Sequence, residues 1–278
     1  MAELYLVSTP IGNLADVTFR AIDTLRRVDL VFAEDTRRTR VLMVHYEVRT
    51  ELRSLHAHNE AARVQTVLES LAQGAALALV SDAGTPLVSD PGGRLVRAVL
   101  EAGHRVIPIP GPSAVLAALA ASGLPTGAFT FLGFPPRRGG DRQKTLERVA
   151  ASQETVVLFE APGRLVRLLE DLERACGPER EMAVARELTK VHEEIRRGGP
   201  SVLASHYREA PPRGEVTLVV APAPAIGVDQ EEVRKEAGRL LAEGMSPSRA
   251  AGALAARLGI ARNQAYRVVQ SLAPHLES

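Results

Sequence analysis

The chain has 278 residues, of which 45% are hydrophobic, so it is long enough to form two ordinary domains, each with its own core. A formal net charge of +1 excludes a uniformly basic nucleic-acid-binding protein, so any basic surface must be local. The single cysteine, Cys176, excludes a disulfide framework, and the sequence shows neither an apolar run long enough to span a bilayer nor a signal peptide. These features predict a soluble, cytoplasmic protein.

The chain begins with two short apolar runs, each followed by a polar segment. Residues 4–7 are predicted to form a strand that ends in a small polar turn, after which Asp16 or Thr18 would cap a helix. A second run, residues 30–33, leads into the alternating charges of residues 34–40, which are typical of a solvated helix start. Both segments favour a strand followed by a helix.

A weak strand is predicted over residues 52–55, and the sequence His56-Ala57-His58-Asn59-Glu60 follows it. The spacing of the two histidines does not match the motif of a zinc protease, and no second group of ligands occurs elsewhere. We therefore predict no metal site here and expect Asn59 to cap the helix that follows.

Two further runs end in turns rich in Gly, Pro and small polar residues. Residues 77–80 contain no polar residue, which predicts a strand buried on both faces, and the turn 81–86 follows directly. Residues 105–109 form the next predicted strand, which ends at Gly111-Pro112-Ser113-Ala114. Each turn alone could be an ordinary connection. Together with the turn after residue 7 they would meet at one edge of a parallel sheet, which indicates a small-ligand site.

The second half of the chain predicts further strands at residues 126–134, 155–159, 182–185 and 216–220, with a helix over 163–175. A basic stretch follows the first of these strands, with Arg137, Arg138, Arg142, Lys144 and Arg148 against two acids. It could be an ordinary solvated loop. We favour a lid that contacts phosphates, because such contacts dominate affinity for RNA.

Residues 230–272 have the periodicity of three short helices. The last two have the outline of a helix-turn-helix, and residues 246–274 contain four arginines and no acid (Arg249, Arg257, Arg262, Arg267). This tail either docks RNA or packs as a helical cap. The predicted organisation is an α/β domain over 1–122, a second over 123–226 and a helical tail over 227–278.

Several segments carry a resemblance to a known family. STPIGNLADVTFRA, EDTRRT, SDAGTPLVSDPG and IPGPSA, in this order, resemble the S-adenosylmethionine-dependent tetrapyrrole methylase superfamily. FEAPGR (159–164), RELTKVHEE (186–194) and GEVTLVV (214–220) are similar to one branch of it, the bacterial small-subunit ribosomal RNA cytidine 2'-O-ribose methyltransferases. Corrin and porphyrin methylases typically have a GDP-type turn where this chain has Ser81-Asp82-Ala83, which favours RNA over a tetrapyrrole as substrate.

The resemblance implies an α/β fold of two domains with S-adenosylmethionine in the cleft between them, usually in a homodimer. The absence of a GxGxxG turn means that the donor would not bind in the Rossmann manner. The motifs transfer donor contacts to eleven positions: Pro10, Ile11, Asp82, Ala83, Thr85, Ser113, Ala114, Phe159, Glu160, Leu188 and Thr217.

Methyl transfer to a ribose hydroxyl depends mainly on positioning of the two reactants, and a nearby base would help. The ionisable candidates for the acceptor pocket are Glu34, Arg37, Glu187 and Lys190, although each pair could instead be a structural ion pair. Expected RNA contacts are Arg137, Arg138, Arg142, Arg262 and Arg267. The alternatives are a related methylase that acts on a tetrapyrrole or a protein, and a non-catalytic RNA-binding assembly factor. The sequence leaves open the nucleotide, the identity of the base, and whether free RNA or an assembled subunit is the substrate.

Overall fold

The computed structural model describes residues 2–56, 58–224, 230–258, 260 and 262–272. The predicted domain boundary at 226/227 lies outside these residues. The mixed α/β fold contains two five-stranded sheets, in agreement with the predicted fold class. Within the described residues, no helix is long and apolar enough to cross a membrane.

The first sheet is entirely parallel, as the sequence predicts. Its strands are β1 (Glu3–Val7), β2 (Leu30–Ala33), β3 (Glu51–Ser54), β4 (Ala76–Val80) and β5 (Arg105–Ile109), in the order β3-β2-β4-β1-β5. The helices between and after them are α1 (Phe19–Arg27), α2 (Thr36–His45), α3 (Glu60–Ala72), α4 (Gly93–Glu101) and α5 (Ala114–Ser122). Because the strands are parallel, the turns that follow β1, β4 and β5 leave the sheet at the same edge.

Strand β4 is buried on both faces, which confirms the prediction from its unbroken apolar run. Ala78 and Val80 pack in a core with α1 and α2, whereas Leu77 and Leu79 pack in a second core with α3 and α4. Strands of this kind read as continuous apolar segments because helices cover both sides of the sheet.

Of two predicted helix caps, the structure confirms one at α1 and contradicts the other at α3. Thr18 caps α1, since its hydroxyl accepts a hydrogen bond from the Ala21 amide at 3.1 Å. The prediction that the side chain of Asn59 caps α3 is wrong. Its carboxamide oxygen turns back and accepts from the His56 amide at 2.8 Å, so it fixes the segment between β3 and α3 instead.

The second sheet is mixed. Its strands are β6 (Phe129–Phe131), β7 (Thr155–Glu160), β8 (Met182–Arg186), β9 (Glu194–Gly198) and β10 (Val216–Val220), in the order β6-β7-β10-β8-β9. Among the described strands of this sheet, β6 and β7 pair in parallel and the other pairs are antiparallel. The helices are α6 (Gly140–Ala151), α7 (Leu165–Cys176) and α8 (Pro200–Glu209).

Each face of the second sheet has its own core. One core combines β7, β8 and β10 with α6, α7 and α8. The other combines Val157, Ala183 and Val219 with residues of α5, such as Val115 and Leu119. Helix α5 therefore follows the first sheet in sequence but packs on the second, and residues 1–150 and 154–221 form one compact unit. The boundary at 122/123 stays a prediction.

The second compact unit consists of residues 151–153 and 222–278. Its helices are α9 (Gln230–Ala242), α10 (Pro247–Leu258) and α11 (Arg262–Leu272). They enclose a small core, as the predicted helical periodicity requires, and it includes Val233, Ala237, Leu240, Ala250, Leu254, Ala265 and Val269.

Candidate functional site

The turns after β1 and β4 are joined by hydrogen bonds. Thr9 and Gly84 exchange backbone hydrogen bonds at 2.9 and 3.0 Å, and the Thr9 hydroxyl donates to the Ser81 carbonyl at 3.1 Å. Gly84 has a φ of +80°, a conformation that favours glycine. The turns that contain Pro10 and Asp82 are therefore neighbours, as predicted.

The turn after β5 lies against the same pair. The Ser8 amide donates to the Ile109 carbonyl at 3.2 Å, and a Cβ at Gly111 would lie 2.9 Å from the Ser8 side chain. Ser113 then caps α5 by accepting from the Leu116 amide at 3.4 Å. All three turns thus converge, which the sequence predicted from their common position at strand ends.

The converging turns form one wall of a cleft of about 400 Å³, and loops of the second sheet form the other wall. This volume suits a small organic ligand. Most residues with a predicted donor contact line the cleft: Ile11, Asp82, Ala83, Thr85, Ser113, Ala114, Phe159, Glu160 and Thr217. Pro10 and Leu188 are not among the lining residues. Leu188 is instead buried in the core that also contains Ile11.

The predicted Glu34–Arg37 pair is divided by the structure. Glu34 lines the cleft, whereas the Arg37 side chain is 90% exposed and pairs with Asp35 at 2.7 Å. Asp35 caps α2 by accepting a hydrogen bond from the Arg37 amide. Hydrogen bonds from the Arg37 side chain, together with this one, lower the pKa of Asp35 to about 2. Arg38 lines the cleft instead of Arg37, and its place one helical turn after Glu34 is the signal that sequence reasoning missed.

The Glu187–Lys190 pair lies beside the cleft. The Lys190 ammonium is 2.7 Å from Glu187 and 3.2 Å from Glu215, and Glu215 lines the cleft. The hydrogen bond from Lys190 is the largest cause of the lowered pKa of Glu187. Glu187 and Lys190 themselves are not lining residues, so the structure places them one contact behind Glu215.

The loop that carries this pair has a strained backbone. Glu187 and Thr189 have φ values of 51° and 66°, which non-glycine residues seldom adopt. A Cβ at Gly214 would lie 1.8 Å from the Glu187 carboxylate, and one at Gly12 would lie 2.5 Å from Lys190 Cγ. Glycines at both positions allow the loop after β8 to contact the loop before β10 and the turn after β1.

Glu160 occupies the carboxyl end of β7 and lines the cleft, although its side chain is fully buried. Its Oε1 accepts from Arg164 at 2.5 Å and from the Ala161 amide at 2.8 Å. Its Oε2 has no hydrogen-bond partner among the described residues. Because a buried, unpaired carboxylate oxygen is costly, this atom indicates a position for a ligand donor.

Aromatic side chains line the cleft on the same side. Phe159 packs against Phe131 and Phe134, with ring centroids 4.9 and 5.4 Å apart. Phe134 was not predicted as a site residue, and neither were Arg38, Asp90 and Glu215. The Ser89-Asp90-Pro91-Gly92 turn at the end of the SDAGTPLVSDPG segment is the signal that could have identified Asp90.

The structure corrects one predicted RNA contact. Arg137 and Arg138 are exposed, but the side chain of Arg142 is only 7% exposed and is paired with Asp171 at 2.5 Å. It also donates to the Pro136 carbonyl at 3.0 Å. Arg142 thus anchors the start of α6 and cannot reach a phosphate. In the second unit, Arg262 and Arg267 are exposed on α11.

The two histidines of the 56–60 segment lie close together, with ring centroids 6.0 Å apart. Among the residues that the structure describes, no group of three or more His, Cys, Asp or Glu side chains is placed to hold a metal ion.

Known proteins resemble this chain over nearly its whole length. It is 45% identical over 271 residues to "Ribosomal RNA small subunit methyltransferase I" of Synechocystis, covering 96% of this chain and 97% of that protein. The protein of the same name in Escherichia coli O157:H7 is 42% identical, covering 95% and 93%.

Solved structures share the fold at low sequence identity. A cobalt precorrin-4 methyltransferase superposes with a TM-score of 0.64 at 18% identity, covering 79% of this chain and 94% of that one. Uroporphyrin-III C-methyltransferase from Thermus thermophilus, complexed with S-adenosyl homocysteine, gives 0.56 at 21% identity, covering 79% and 97%. Residues 3–201 match the family described as Tetrapyrrole (Corrin/Porphyrin) Methylases. The chain therefore belongs to the tetrapyrrole methylase family, which confirms the predicted resemblance.

Proposed function

We propose that this chain transfers a methyl group from S-adenosylmethionine to the 2'-hydroxyl of a cytidine ribose in the 16S RNA of the small ribosomal subunit. The observation that carries the proposal is a single cleft formed by turns of both sheets, in a chain whose relatives are named as small-subunit RNA methyltransferases. The chain lacks the GDP-type turn of the corrin and porphyrin methylases, which favours RNA over a tetrapyrrole.

The residues of the cleft fit the methyl donor. Small side chains, such as Ala83 and Ala114, leave room for a bulky ligand, and Glu160 holds a buried acceptor atom that no described residue satisfies. The carboxylate of Asp82, a predicted donor contact, would balance positive charge on the bound donor. When bound, the donor supplies an electrophilic methyl group.

The protein's own contribution is orientation and exclusion of water. The backbone pairing of Thr9 with Gly84 fixes the spacing of two turns, and Phe134 and Phe159 cover the opposite side with apolar surface. We propose that Glu34, with the Glu187–Lys190 pair behind Glu215, shapes the acceptor pocket. Holding both reactants in one geometry can account for a large share of such a rate enhancement.

The function is tested by methyl transfer from labelled donor to small ribosomal subunits, to free 16S RNA and to a porphyrin precursor. We expect label in the RNA, at a cytidine whose ribose becomes resistant to alkaline cleavage. Label in the porphyrin precursor alone, or in no substrate, would contradict the proposal. Donor binding without transfer to any of the three would favour the non-catalytic assembly factor.

We propose that RNA is held by exposed arginines in both compact units. Arg137 and Arg138 follow Phe134 of the cleft, and Arg262 and Arg267 lie on α11.

Replacing each pair by Ala should weaken RNA binding and reduce the slope of log affinity against log salt by about 1 to 2, because each phosphate contact contributes roughly 0.7 to 0.9. Donor affinity should not change. Arg97→Ala, which removes an exposed arginine paired with Glu101, is the matched control. An unchanged slope in both double variants would rule out these contacts.

We propose that the chain forms a homodimer. Phe19 on α1 is 94% exposed, and Val41 and Val44 on α2 are 61% and 71% exposed. Helices α1 and α2 share one core, and large apolar side chains on their exposed faces are ones that a dimer interface would cover. We expect the full chain to sediment as a dimer and Phe19→Glu with Val44→Glu to sediment as a monomer. A wild-type monomer at micromolar concentration would contradict the proposal.

A further inference from the structure

Three carboxylates line one end of the cleft, and they are not equivalent. Glu34 follows β2, Asp82 follows β4, and Asp90 lies in the loop before α4. Arg38 is the only cation among the lining residues in the described part of the chain, and its side chain is 60% exposed. Negative charge therefore exceeds positive charge where both substrates of a methyl transfer would meet.

Asp82 already has structural partners. Its Oδ1 accepts from the Asp35 amide at 2.8 Å, and its Oδ2 lies 3.8 Å from Arg38. These contacts join the end of β4 to the start of α2. Asp90 has no ion pair among the described residues, and hydrogen bonding by the Ser81 hydroxyl, which also donates to the Gly84 carbonyl at 3.1 Å, is the one influence that lowers its pKa. Of these two carboxylates, Asp90 is the one that remains free to exchange a proton.

The loop that presents Asp90 is held in an unusual backbone conformation. Leu87 and Ser89 have φ values of 73° and 68°, and Gly92 has a φ of 120°. A side chain at Gly92 would be strained at this φ, and its Cβ would lie 2.8 Å from the terminal methyl groups of Leu79 and Leu87, which would have to shift. Such conformations persist only where the surroundings fix them, and they concentrate at functional sites. The packing of this loop against β4 thus fixes the position of Asp90.

The surroundings of Asp90 suit it to take up a proton near neutral pH. Burial, followed by the negative charges of Glu34 and Asp82, raises its pKa to about 6. The pKa of Glu34 is also raised, mainly by burial. The nearby acids Asp82 and Asp35 raise it further, whereas His56 and Arg38 lower it. A carboxylate of this kind is ionised at pH 7 but more basic than an ordinary aspartate, as a general base requires.

A ligand position in the same cleft is supported independently by the buried, unpaired Oε2 of Glu160. Asp90 therefore belongs to a site built for a polar ligand, and its carboxylate is not merely one of a group of surface acids.

We propose that Asp90 is the catalytic base that accepts the proton of the acceptor hydroxyl, with Glu34 beside it as a positioning residue. In this step the oxygen–hydrogen bond breaks and its proton passes to a carboxylate oxygen of Asp90. The oxygen forms a bond to the methyl carbon, and the carbon–sulfur bond breaks with its electron pair remaining on sulfur. The assignment rests on the proposed function, since it requires a hydroxyl as the acceptor.

The test is the single-turnover rate of the full-length chain on small ribosomal subunits between pH 5 and 9, together with donor affinity. For the wild type we expect the rate to rise tenfold per pH unit below about pH 6 and to level off above it. Asp90→Asn should slow transfer by about 100-fold or more and abolish this bend, with donor affinity unchanged within about threefold. Asp90→Glu should recover part of the rate.

Glu34→Gln distinguishes the two carboxylates. Removing this negative neighbour should lower the pKa of Asp90, so the bend should move to lower pH but persist. The opposite pattern, in which Glu34→Gln abolishes the bend and Asp90→Asn only moves it, would overturn the assignment and make Glu34 the base. A rate within a few-fold of wild type for Asp90→Asn would also overturn it.

Two controls keep these outcomes separate. Glu101→Gln removes an exposed carboxylate on α4 and should leave the rate and its bend unchanged. Failure of the proposed function would appear in the wild type itself, as the absence of methyl transfer to RNA at every pH. Failure of the Asp90 assignment would appear only in the variants.

Discussion

Replacing Arg142 by Ala should lower the free energy of unfolding by about 3 kcal/mol or more, while the RNA affinity of the folded protein stays the same. The guanidinium contacts Asp171 through Nε at 2.8 Å and through Nη2 at 2.5 Å, and both side chains are almost buried. Its removal would leave the Asp171 carboxylate with the exposed Arg174 as its remaining ion-pair partner among the described residues. Because Arg174 is exposed, it would offset the largely buried charge of Asp171 only in part, and a buried charge that has lost its main partner is destabilising.

Two control variants separate this effect from charge. Arg138→Ala removes an exposed arginine of the same segment and should change stability by less than about 0.5 kcal/mol, because exposed positions contribute little. Arg142→Met combined with Asp171→Leu removes both charges and should lose less stability than Arg142→Ala alone. Urea unfolding of the full chain measures all three. If Arg142→Ala lost RNA affinity without losing stability, Arg142 would contact RNA, as the sequence predicts, and the structural role would be wrong.

Replacing Glu160 by Gln should weaken binding of S-adenosylmethionine by roughly 10- to 100-fold, because a hydrogen bond to a charged group contributes about 1.5 to 3 kcal/mol. The amide oxygen of Gln can keep the contacts with Arg164 and the Ala161 amide that Oε1 makes now. At Oε2 an acceptor becomes a donor, and the negative charge that pairs with Arg164 is lost as well. Calorimetric titration of both proteins with S-adenosylmethionine measures this affinity.

The matched control is Glu170→Gln, which replaces a partly exposed carboxylate paired with Arg208 on the surface of α7. It should bind the donor like the wild type. If Glu160→Gln also bound like the wild type, the unpaired oxygen would not be part of the donor site, and the proposed contact would be wrong.

The cleft could be predicted because its signals are local. An unbroken apolar run followed by Gly and Pro predicts a buried strand and a turn, and parallel strands bring such turns to one edge. The backbone hydrogen bonds between Thr9 and Gly84 join two of these turns, as that prediction requires. The position of Glu160 in the cleft followed from the family resemblance and not from spacing or composition.

The differences between prediction and structure have three separate causes. Arg142 was counted with its basic neighbours because its partner, Asp171, lies on another helix. Arg37 and Arg38 are adjacent, and only the start of α2 decides which of them faces the cleft. Strand β9 was missed because it is a charged edge strand, whose side chains are largely solvated and show little apolar pattern.

The most direct test of the central claim is a crystal structure of the full chain with S-adenosyl homocysteine. We predict that the ligand lies between the turns after β1, β4 and β5 and the ends of β7 and β10, in contact with Asp82, Ser113 and Glu160. A ligand bound elsewhere, or held by one sheet alone, would contradict the account.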